Sequence, residues 1–284
     1  MYWKSFLAIT AIAPNVNAAG ATLRFSCSQL TVERLDPIIN AGVVGSPHLH
    51  QIVGGNAFNA SMSGDVSTQA TCTSCTPTED FPNYWTATLF FRARNGTFKR
   101  VNTLGNPLGF GAATGGQTVY YLSSGKVTAF KPGFRMTVGD PSIRTDSGLK
   151  KYPQLQFTCL QTSTTRTGYQ DNSRFFYETY WDTTPFNNKA EWPVDGSQPF
   201  VWSFGDVTGY GNHADYVFGW KGDALQRAMD ANCNSDLFTN SINCATLKTQ
   251  TIQQANQCTK SAVVNDNLGG WLTELPGGVK VNRL

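Results

Sequence analysis

The chain contains 284 residues, of which 40% are hydrophobic, 12% are aromatic and 14% are charged, and its formal net charge at pH 7 is +3. This composition excludes an intrinsically disordered chain, which needs high charge and few aromatic residues, and a coiled coil, which needs charged heptads. The net charge is too small to indicate nucleic-acid binding, so no nucleic-acid partner is expected. The length allows one domain with a substantial core.

The first element in chain order has the pattern of an export signal. Lys4 precedes a short apolar run from Phe6 to Ala13, and Val16-Asn17-Ala18 fits a cleavage site. An apolar run of this length is too short to span a bilayer. We therefore predict a signal peptide over residues 1–18, a single secreted domain over 19–284, and an extracellular monomer with no membrane partner. A buried amino-terminal strand is the alternative interpretation.

The cysteine content agrees with an oxidising compartment. Because the number of cysteines is odd, one is left over as a free thiol or for an intermolecular bond. Cys72 and Cys75 have the CxxC spacing, but no second CxxC completes a four-thiolate zinc site, so structural disulfides are favoured. Asn59-Ala60-Ser61 and Asn95-Gly96-Thr97 are glycosylation sequons. The seven cysteines are Cys27, Cys72, Cys75, Cys159, Cys233, Cys244 and Cys258.

Most of the chain reads as short strands between turns. Asn95-Gly96 is a strong hairpin signal. Helical periodicity is confined to residues 223–232 and about 249–258, and the polar segment 162–172 predicts a mobile loop. The sequence predicts a mainly β fold, a single-domain β-sandwich or jelly-roll-like domain with one or two short helices near the C-terminus. The predicted strands are 86–94, 97–101, 118–122, 134–139, 155–159 and 200–204.

Three histidines occur in the whole chain, in Pro47-His48-Leu49-His50-Gln51 and Gly211-Asn212-His213-Ala214-Asp215. Residues i and i+2 of a strand point to the same face, so each segment presents two polar groups in parallel. If the segments meet, three imidazoles and the Asp215 carboxylate surround one small volume. They would then bind a divalent metal with a position open for water, or transfer protons with Asp215 orienting a ring, or hold loops together by hydrogen bonds.

Aromatic residues beside asparagine and aspartate suit a glycan groove, because the C–H faces of sugars stack on aromatic rings. The candidates are Tyr84, Trp85, Tyr210 and Trp220, and core packing is the alternative. Arg135 lies within a hydrophobic strand pattern, where it either meets an anionic ligand or points to solvent. The sequence contains neither a phosphate-binding loop nor a GxSxG element, which argues against nucleotide binding and a serine hydrolase.

Short motifs follow one another in a fixed order along the chain. They are Cys27-Ser28-Gln29-Leu30, Glu33-Arg34-Leu35-Asp36-Pro37, the segment 46–58, Cys72-Thr73-Ser74-Cys75, Asn83-Tyr84-Trp85, Gly133-Phe134-Arg135-Met136, Phe157-Thr158-Cys159, Gly205-Asp206, the segment 209–215 and Gly219-Trp220. This series resembles the secreted fungal family catalogued as domain of unknown function nineteen-ninety-six, whose members sometimes carry WSC modules. The resemblance extends over about residues 22–278 and implies an extracellular fungal protein associated with cell-wall or plant polysaccharide. It also implies a site at His48, His50, His213, Asp215, Arg135, Tyr84 and Trp85.

The chain departs from the family pattern in two places. Tyr180-Trp181-Asp182-Thr183 replaces the Cys-Trp-Asp-Gly element common in the family, and the following residues 184–192 contain no histidine. Pro276-Gly277-Gly278 lacks the cysteine of the late Pro-Gly-Cys element. These departures imply a different disulfide set and, if the lost histidines belonged to the site, an altered or inactive centre.

We expect a secreted protein that acts on extracellular polysaccharide, as a hydrolase or lyase that cleaves glycan with His48, His50 or His213 as acid or base. In this interpretation Asp215 orients a ring, Arg135 neutralises a sugar carboxylate, and no cofactor is assigned. One alternative is a non-catalytic protein that binds cell-wall or host glycan. The other is a histidine-based metal-binding protein, for which a divalent metal is the cofactor.

Overall fold

A computed structural model describes residues 21–104, 115–123, 125–149, 162–170, 173–235 and 242–282. These residues form three β-sheets, of seven, five and three strands, with short helices between them. The strands are β1 (Thr22–Ser28), β2 (Thr31–Glu33), β3 (His50–Gly54), β4 (Asn83–Ala87), β5 (Leu89–Arg92), β6 (Phe98–Arg100), β7 (Thr103–Leu104), β8 (Gly116–Ser123), β9 (Arg135–Val138), β10 (Thr162–Gln170), β11 (Ser173–Trp181), β12 (Phe200–Trp202), β13 (Ala214–Val217), β14 (Asn234–Ser235) and β15 (Ile242–Asn243).

The largest sheet has the strand order β10-β11-β8-β1-β14-β15, with β7 also paired to β11. Its pairs are antiparallel apart from the short parallel contact between β1 and β14. The five-stranded sheet has the order β2-β3-β4-β13-β9, and the three-stranded sheet has the order β12-β5-β6. This architecture confirms the mainly β fold class and agrees with a β-sandwich.

The five-stranded sheet buries both of its faces, because alternate residues of its central strands point in opposite directions. Val53, Tyr84 and Tyr216 lie in register across β3, β4 and β13 and pack against Phe25 and Val119 of the seven-stranded sheet. On the opposite face Ile52 pairs with Trp85 and Trp85 pairs with Asp215, and Val217 lies two residues beyond Asp215 on β13. Ile52, Trp85 and Val217 pack in one cluster with Leu30, Phe58 and Val66. The candidate histidines lie on this second face.

The predicted strand 86–94 is divided between two sheets. β4 belongs to the five-stranded sheet and β5 to the three-stranded sheet. The break is at Thr88, whose backbone amide donates to the Leu49 carbonyl and whose carbonyl accepts from Ser203. The hairpin at Asn95-Gly96 is confirmed, since β5 pairs with β6 across it.

The predicted loop at 162–172 is wrong for residues 162–170, which form β10 and pair with β11 along its length. The segment is rich in threonine, whose branched side chain favours a strand when a partner strand is present. Of the other predicted strands, 118–122 lies in β8, whereas 155–159 lies outside the described residues.

Both predicted helices are present and are shorter than their patterns. α2 covers Ala224–Asp230, and α3 covers Ile252–Ala255, where Thr251 and Gln254 form a capping box. A further short helix, α1 (Asp146–Leu149), was not predicted. Four 3-10 helices complete the helical elements of the described residues, at Val66–Thr68, Thr184–Phe186, Lys189–Glu191 and Pro276–Gly278.

Three disulfides connect the described cysteines: Cys27–Cys75, Cys72–Cys258 and Cys233–Cys244. The prediction of structural disulfides is thereby confirmed, and Cys72 and Cys75 bond to different partners rather than to each other. Cys159, the seventh cysteine, lies outside the described residues. Within the described part of the chain, no helix has the length and apolar character needed to cross a membrane.

Candidate metal centre

The two histidine segments meet on one face of the five-stranded sheet. His50 begins β3 and pairs with Ala87 of β4, whose neighbour Thr86 pairs with Ala214, the residue after His213. Ala87 is fully buried and carries only a methyl group, so it leaves space for imidazoles on either side. The Thr86 hydroxyl donates to the His213 carbonyl at 2.8 Å and holds this end of β13 in place.

The three imidazoles converge on a small volume. The Nε2 atoms of His48 and His213 lie 3.0 Å apart. The ring centroids are separated by 4.3 Å for His48 and His50, 5.0 Å for His48 and His213, and 6.1 Å for His50 and His213. One nitrogen from each ring lies within 4.8 Å of the other two, as required of ligands that share one ion.

Two of the rings are oriented by backbone carbonyls. His50 Nδ1 lies 3.0 Å from the Leu35 carbonyl, and His213 Nδ1 lies 3.1 Å from the Gly211 carbonyl. A carbonyl only accepts, so in each ring Nδ1 carries the proton and Nε2 presents a lone pair. The His50 Nε2 atom is buried and makes no hydrogen bond within the described structure. A buried nitrogen without a partner is costly, and a bound cation would satisfy it.

Buried aspartates shape the two loops that supply these carbonyls. Asp206 Oδ2 accepts from the Gly211 amide at 2.9 Å, and Asp206 Oδ1 accepts from the amide and the hydroxyl of Thr208. Asp36 Oδ1 accepts from the amides of Ile38 and Ile39 at 3.0 Å. Each aspartate therefore fixes a turn next to the residue that orients a histidine, as the outer shell of a metal site does.

The three histidines are buried to different degrees. His48 is 9% exposed and His213 is 7% exposed, whereas His50 is completely buried. Phe204 borders two of the rings, with its ring centroid 5.5 Å from His48 and 5.0 Å from His213. The Arg144 guanidinium lies over the Phe204 ring at 5.7 Å and 3.5 Å from Asp206. Of the three histidines, His48 and His213 therefore retain a small exposed fraction and His50 has none.

The electrostatic environment keeps the imidazoles neutral. Burial lowers the pKa of His48 well below its usual value, and the other two histidines lower it further. Burial lowers the pKa of His50 to about 4, against the opposing field of Asp36. Burial also lowers the pKa of His213, although the Gly211 hydrogen bond, Asp36 and Asp140 act in the other direction. Neutral imidazole is the form that ligates metal.

Asp215 and Arg135 do not occupy their expected positions. The Nδ1 atoms of His50 and His213 contact the carbonyls of Leu35 and Gly211 rather than the Asp215 carboxylate. The assignment of Asp215 as the carboxylate that orients a ring is therefore corrected. Asp215 is buried beside Trp85 in the sheet register, and burial raises the pKa of its carboxyl well above the usual value. Arg135 of β9 pairs with Val217, which lies two residues beyond Asp215 on β13, and it donates to the Met62 carbonyl.

The predicted sugar-binding aromatic residues are mostly core residues. Tyr84, Trp85 and Trp220 are completely buried, so a sugar cannot stack on them in this structure, and that assignment is corrected. Tyr84 and Trp220 belong to the core between the two large sheets, and Trp85 packs on Phe58 at 5.3 Å. Tyr210 alone of the four is partly accessible, in the loop before His213.

Sequence reasoning gave no role at the centre to Asp36, Phe204 or the Leu35 and Gly211 carbonyls. Asp36 carried one usable signal, because an aspartate directly before a proline is typical of a turn. A backbone carbonyl has no sequence signal at all, and the position of Phe204 depends on long-range packing. Asp206 appeared in the sequence as part of the Gly205-Asp206 motif, and its hydrogen bonds show a role in shaping a loop.

Comparison with known proteins gives a family and nothing more specific. Neither the curated proteins nor the solved structures include a match to this chain. A family model matches residues 36–176 and 171–220, which together include His48, His50, His213, Asp36 and Asp206. Since this match covers more than half of the 284 residues, the chain belongs to the family described as a domain of unknown function (DUF1996).

Proposed function

We propose that the protein binds a divalent transition metal through His48, His50 and His213. The observation that carries this proposal is the buried His50 Nε2 atom, which has no hydrogen-bond partner and faces two further imidazole nitrogens within 4.8 Å. Three neutral imidazoles suit zinc or copper. In a tetrahedral zinc site with bonds of about 2.0–2.1 Å, neighbouring nitrogens lie roughly 3.3 Å apart, close to the 3.0 Å between His48 and His213.

Metal binding explains the arrangement better than proton transfer between histidine and substrate. A general acid or base must touch the reacting group, yet His50 is completely buried. The two ring Nδ1 atoms contact carbonyls rather than a carboxylate, so the imidazolium form lacks the support that an acid–base histidine needs. A metal uses all three rings, including the buried one.

Three protein ligands leave a coordination position for water or substrate, as in catalytic zinc sites. A metal there would supply a water of lowered pKa or polarise a substrate oxygen. His48 and His213 are the two histidines with some exposure, so such a ligand would enter on their side of the centre. This supports a hydrolytic role for the centre over a purely structural one.

The test measures metal content in protein that carries no histidine tag, because the chain itself contains only three histidines. After dialysis against zinc or copper and then against buffer, we expect one metal ion per chain. His50→Ala and the less buried His48→Ala should each lose it. Ser46→Ala is the matched control, since the Ser46 hydroxyl donates to the His48 carbonyl but supplies no ligand. Wild-type protein that retains no metal, or His50→Ala that retains it fully, would contradict the proposal.

We further propose that the protein is exported and that extracellular polysaccharide is its partner. Three disulfides support export, since such bonds persist in oxidising compartments. Exposed Asn59 and Asn95 in sequons agree with it. Product release from a panel of wall glycans by metal-loaded protein, abolished in His48→Ala, is the expected result. Retention on insoluble glycan without products would favour the non-catalytic glycan-binding alternative.

A further inference from the structure

A second feature lies on the hairpin between β5 and β6, away from the strands that carry the histidines. A cleft of about 550 Å³ opens there, and its lining includes Arg94, Asn95, Thr97, Glu191 and Trp271. This volume is within the usual range of about 300–1,000 Å³ for small-molecule sites. The lining combines one large aromatic ring with charged and amide side chains.

Trp271 is exposed to an unusual degree. Its side chain is 51% exposed, whereas each other tryptophan in the described residues is buried or half-buried. The residue is nevertheless held in place, because Leu272 exchanges backbone hydrogen bonds of 2.8 Å with Phe98 of β6. The Trp271 ring also lies 6.3 Å from buried Phe91 in an edge-on arrangement. A fixed and solvent-facing indole is a ready stacking surface for an apolar ring face.

The cleft also contains a modification signal. Asn95-Gly96-Thr97 is a sequon at the tip of the hairpin, where Asn95 and Gly96 are exposed. Asn95 Oδ1 accepts from the Thr97 amide at 3.1 Å and from the Thr97 hydroxyl at 2.8 Å, so the sequon is presented as an ordered turn. A sugar attached to Asn95 would leave the turn within the cleft that Trp271 lines.

Polar groups around the cleft suit the hydroxyl and acetamido groups of a sugar. The Arg94 backbone amide donates to the Glu191 carbonyl at 2.7 Å, which ties the hairpin to the opposite wall. The Glu191 carboxylate accepts from Asn188 at 3.3 Å, and Arg94 Nε lies 3.4 Å from the Trp192 carbonyl. These contacts hold the side chains of Glu191 and Arg94 in position, and each side chain can still form further hydrogen bonds.

We propose that Asn95 is N-glycosylated and that the first N-acetylglucosamine of that glycan stacks on Trp271 in this cleft. The occupant is a part of the mature protein itself rather than a free ligand, because the attachment residue lines the cavity. The attached sugar would shield Trp271 and bridge the β5–β6 hairpin to the segment around residue 271. This inference rests on the proposed export, since the modification occurs only in the secretory route.

The experiment uses the full chain secreted from a eukaryotic host. Site occupancy is measured by mass spectrometry, and the accessibility of tryptophan is measured by acrylamide quenching of fluorescence. We expect Asn95→Gln to raise quenching and to lower the melting temperature by about 2–4 °C. Trimming the glycans to the single attached sugar should leave both properties unchanged, because only that first sugar touches Trp271.

Asn59→Gln is the matched control, as Asn59 is an exposed sequon asparagine and is not among the residues that line this cleft. It should alter neither quenching nor melting. A double-mutant cycle with Trp271→Ala should be non-additive for Asn95→Gln and additive for Asn59→Gln. Occupied Asn59 with unoccupied Asn95, or two unoccupied sequons in the secreted protein, would overturn the inference and leave export intact, whereas a chain that is retained in the cells and carries no glycan would overturn both. An occupied Asn95 with unchanged quenching, or a cleft that binds free oligosaccharide while Asn95 is occupied, would also overturn it.

Discussion

The Nε2 atoms of His48 and His213 lie 3.0 Å apart, although 165 positions separate the two residues in the chain. The contact joins the segment before β3 to the loop before β13, so it depends on the sheet order β3-β4-β13. The proposed metal centre therefore depends on the assembled sheet, and substitutions that displace either segment should weaken metal binding without removing a ligand.

Asp206→Ala tests the loop that presents His213. The substitution removes the acceptor of the Gly211 amide and both contacts to Thr208, and it leaves Arg144 without its buried partner. We expect a fall in metal affinity of about 10–100-fold and a loss of unfolding free energy of about 2–4 kcal/mol. Isothermal titration and urea denaturation measure the two effects.

Asp182→Ala provides the control for Asp206→Ala. Asp182 makes the same local contacts with the amide and hydroxyl of Thr184, but on an exposed turn away from the histidines. The Asp182→Ala substitution should lower the unfolding free energy by no more than about 1 kcal/mol and leave metal affinity unchanged. Equal effects of the two substitutions on metal affinity would show that Asp206 has no particular role at the centre.

Gly139→Ala tests the close approach of β9 to His213. Gly139 has φ of +91°, and an added Cβ would lie 2.5 Å from the Asn212 carbonyl oxygen and 2.9 Å from the His213 Cα atom. The backbone must move, so we expect metal affinity to fall at least about tenfold and stability to fall by about 1–3 kcal/mol. Gly125→Ala is the control, because its φ is +118° and its added Cβ meets nothing within 4 Å. Metal affinity equal to that of the wild type in both variants would contradict the link between the Gly139 contact and the position of His213.

Asp80→Asn tests a buried carboxyl in the core between the two large sheets. Burial raises the pKa of Asp80 well above its usual value of 3.8, although Tyr84 donates to it at 2.6 Å. The native state then holds the proton that the unfolded state releases, so the contribution of Asp80 to stability is complete below pH 3.8 and is lost as pH rises through the native pKa.

The amide cannot ionise, so Asp80→Asn should match the wild type near pH 3.5 and be more stable at pH 7 by at least ~1 kcal/mol. Urea denaturation at both pH values measures this difference. Asp230→Asn, at an exposed position on α2, should change stability by no more than about 0.5 kcal/mol at either pH. A wild type that equals Asp80→Asn at pH 7 would contradict the raised pKa.

The Cys72–Cys258 disulfide closes a loop of 186 positions and ties the segment after α3 to the face of the sheet that carries the histidines. Replacing both cysteines by serine should lower the unfolding free energy by about 2–5 kcal/mol. The Cys233–Cys244 disulfide closes a loop of only 11 positions. Its replacement by two serines should lower the unfolding free energy by less, because a shorter loop loses less entropy on closure. Denaturant midpoints compare the two variants.

Local spacing predicted the part of the site that depends on a strand. The i, i+2 spacing of His48 and His50 predicted that their imidazoles lie together, and their ring centroids are 4.3 Å apart, although His48 precedes β3 and only His50 belongs to the strand. Strand spacing could not show which neighbours would orient the rings. Backbone carbonyls of Leu35 and Gly211 took the position expected for Asp215, and the turns that present them form only when the chain is folded.

The aromatic residues were misread for a related reason. The sequence suggests that Tyr84 and Trp220 stack on sugar rings, because they lie near asparagine or aspartate, but both are buried and their polar groups find partners inside the core. The Tyr84 hydroxyl contacts Asp80 and Tyr121, and Trp220 donates to the Tyr121 hydroxyl at 3.2 Å. A buried network of this kind draws on residues far apart in the sequence, so pattern alone cannot distinguish it from a binding surface.

X-ray absorption at the metal edge tests the central claim most directly. Tag-free protein loaded with one equivalent of zinc should show a first shell dominated by three imidazole nitrogens at about 2.0–2.1 Å. The chain has no histidines other than His48, His50 and His213, so that signal can come only from them. A first shell of oxygen or sulfur without imidazole scattering, or zinc that washes out before measurement, would contradict the three-histidine centre.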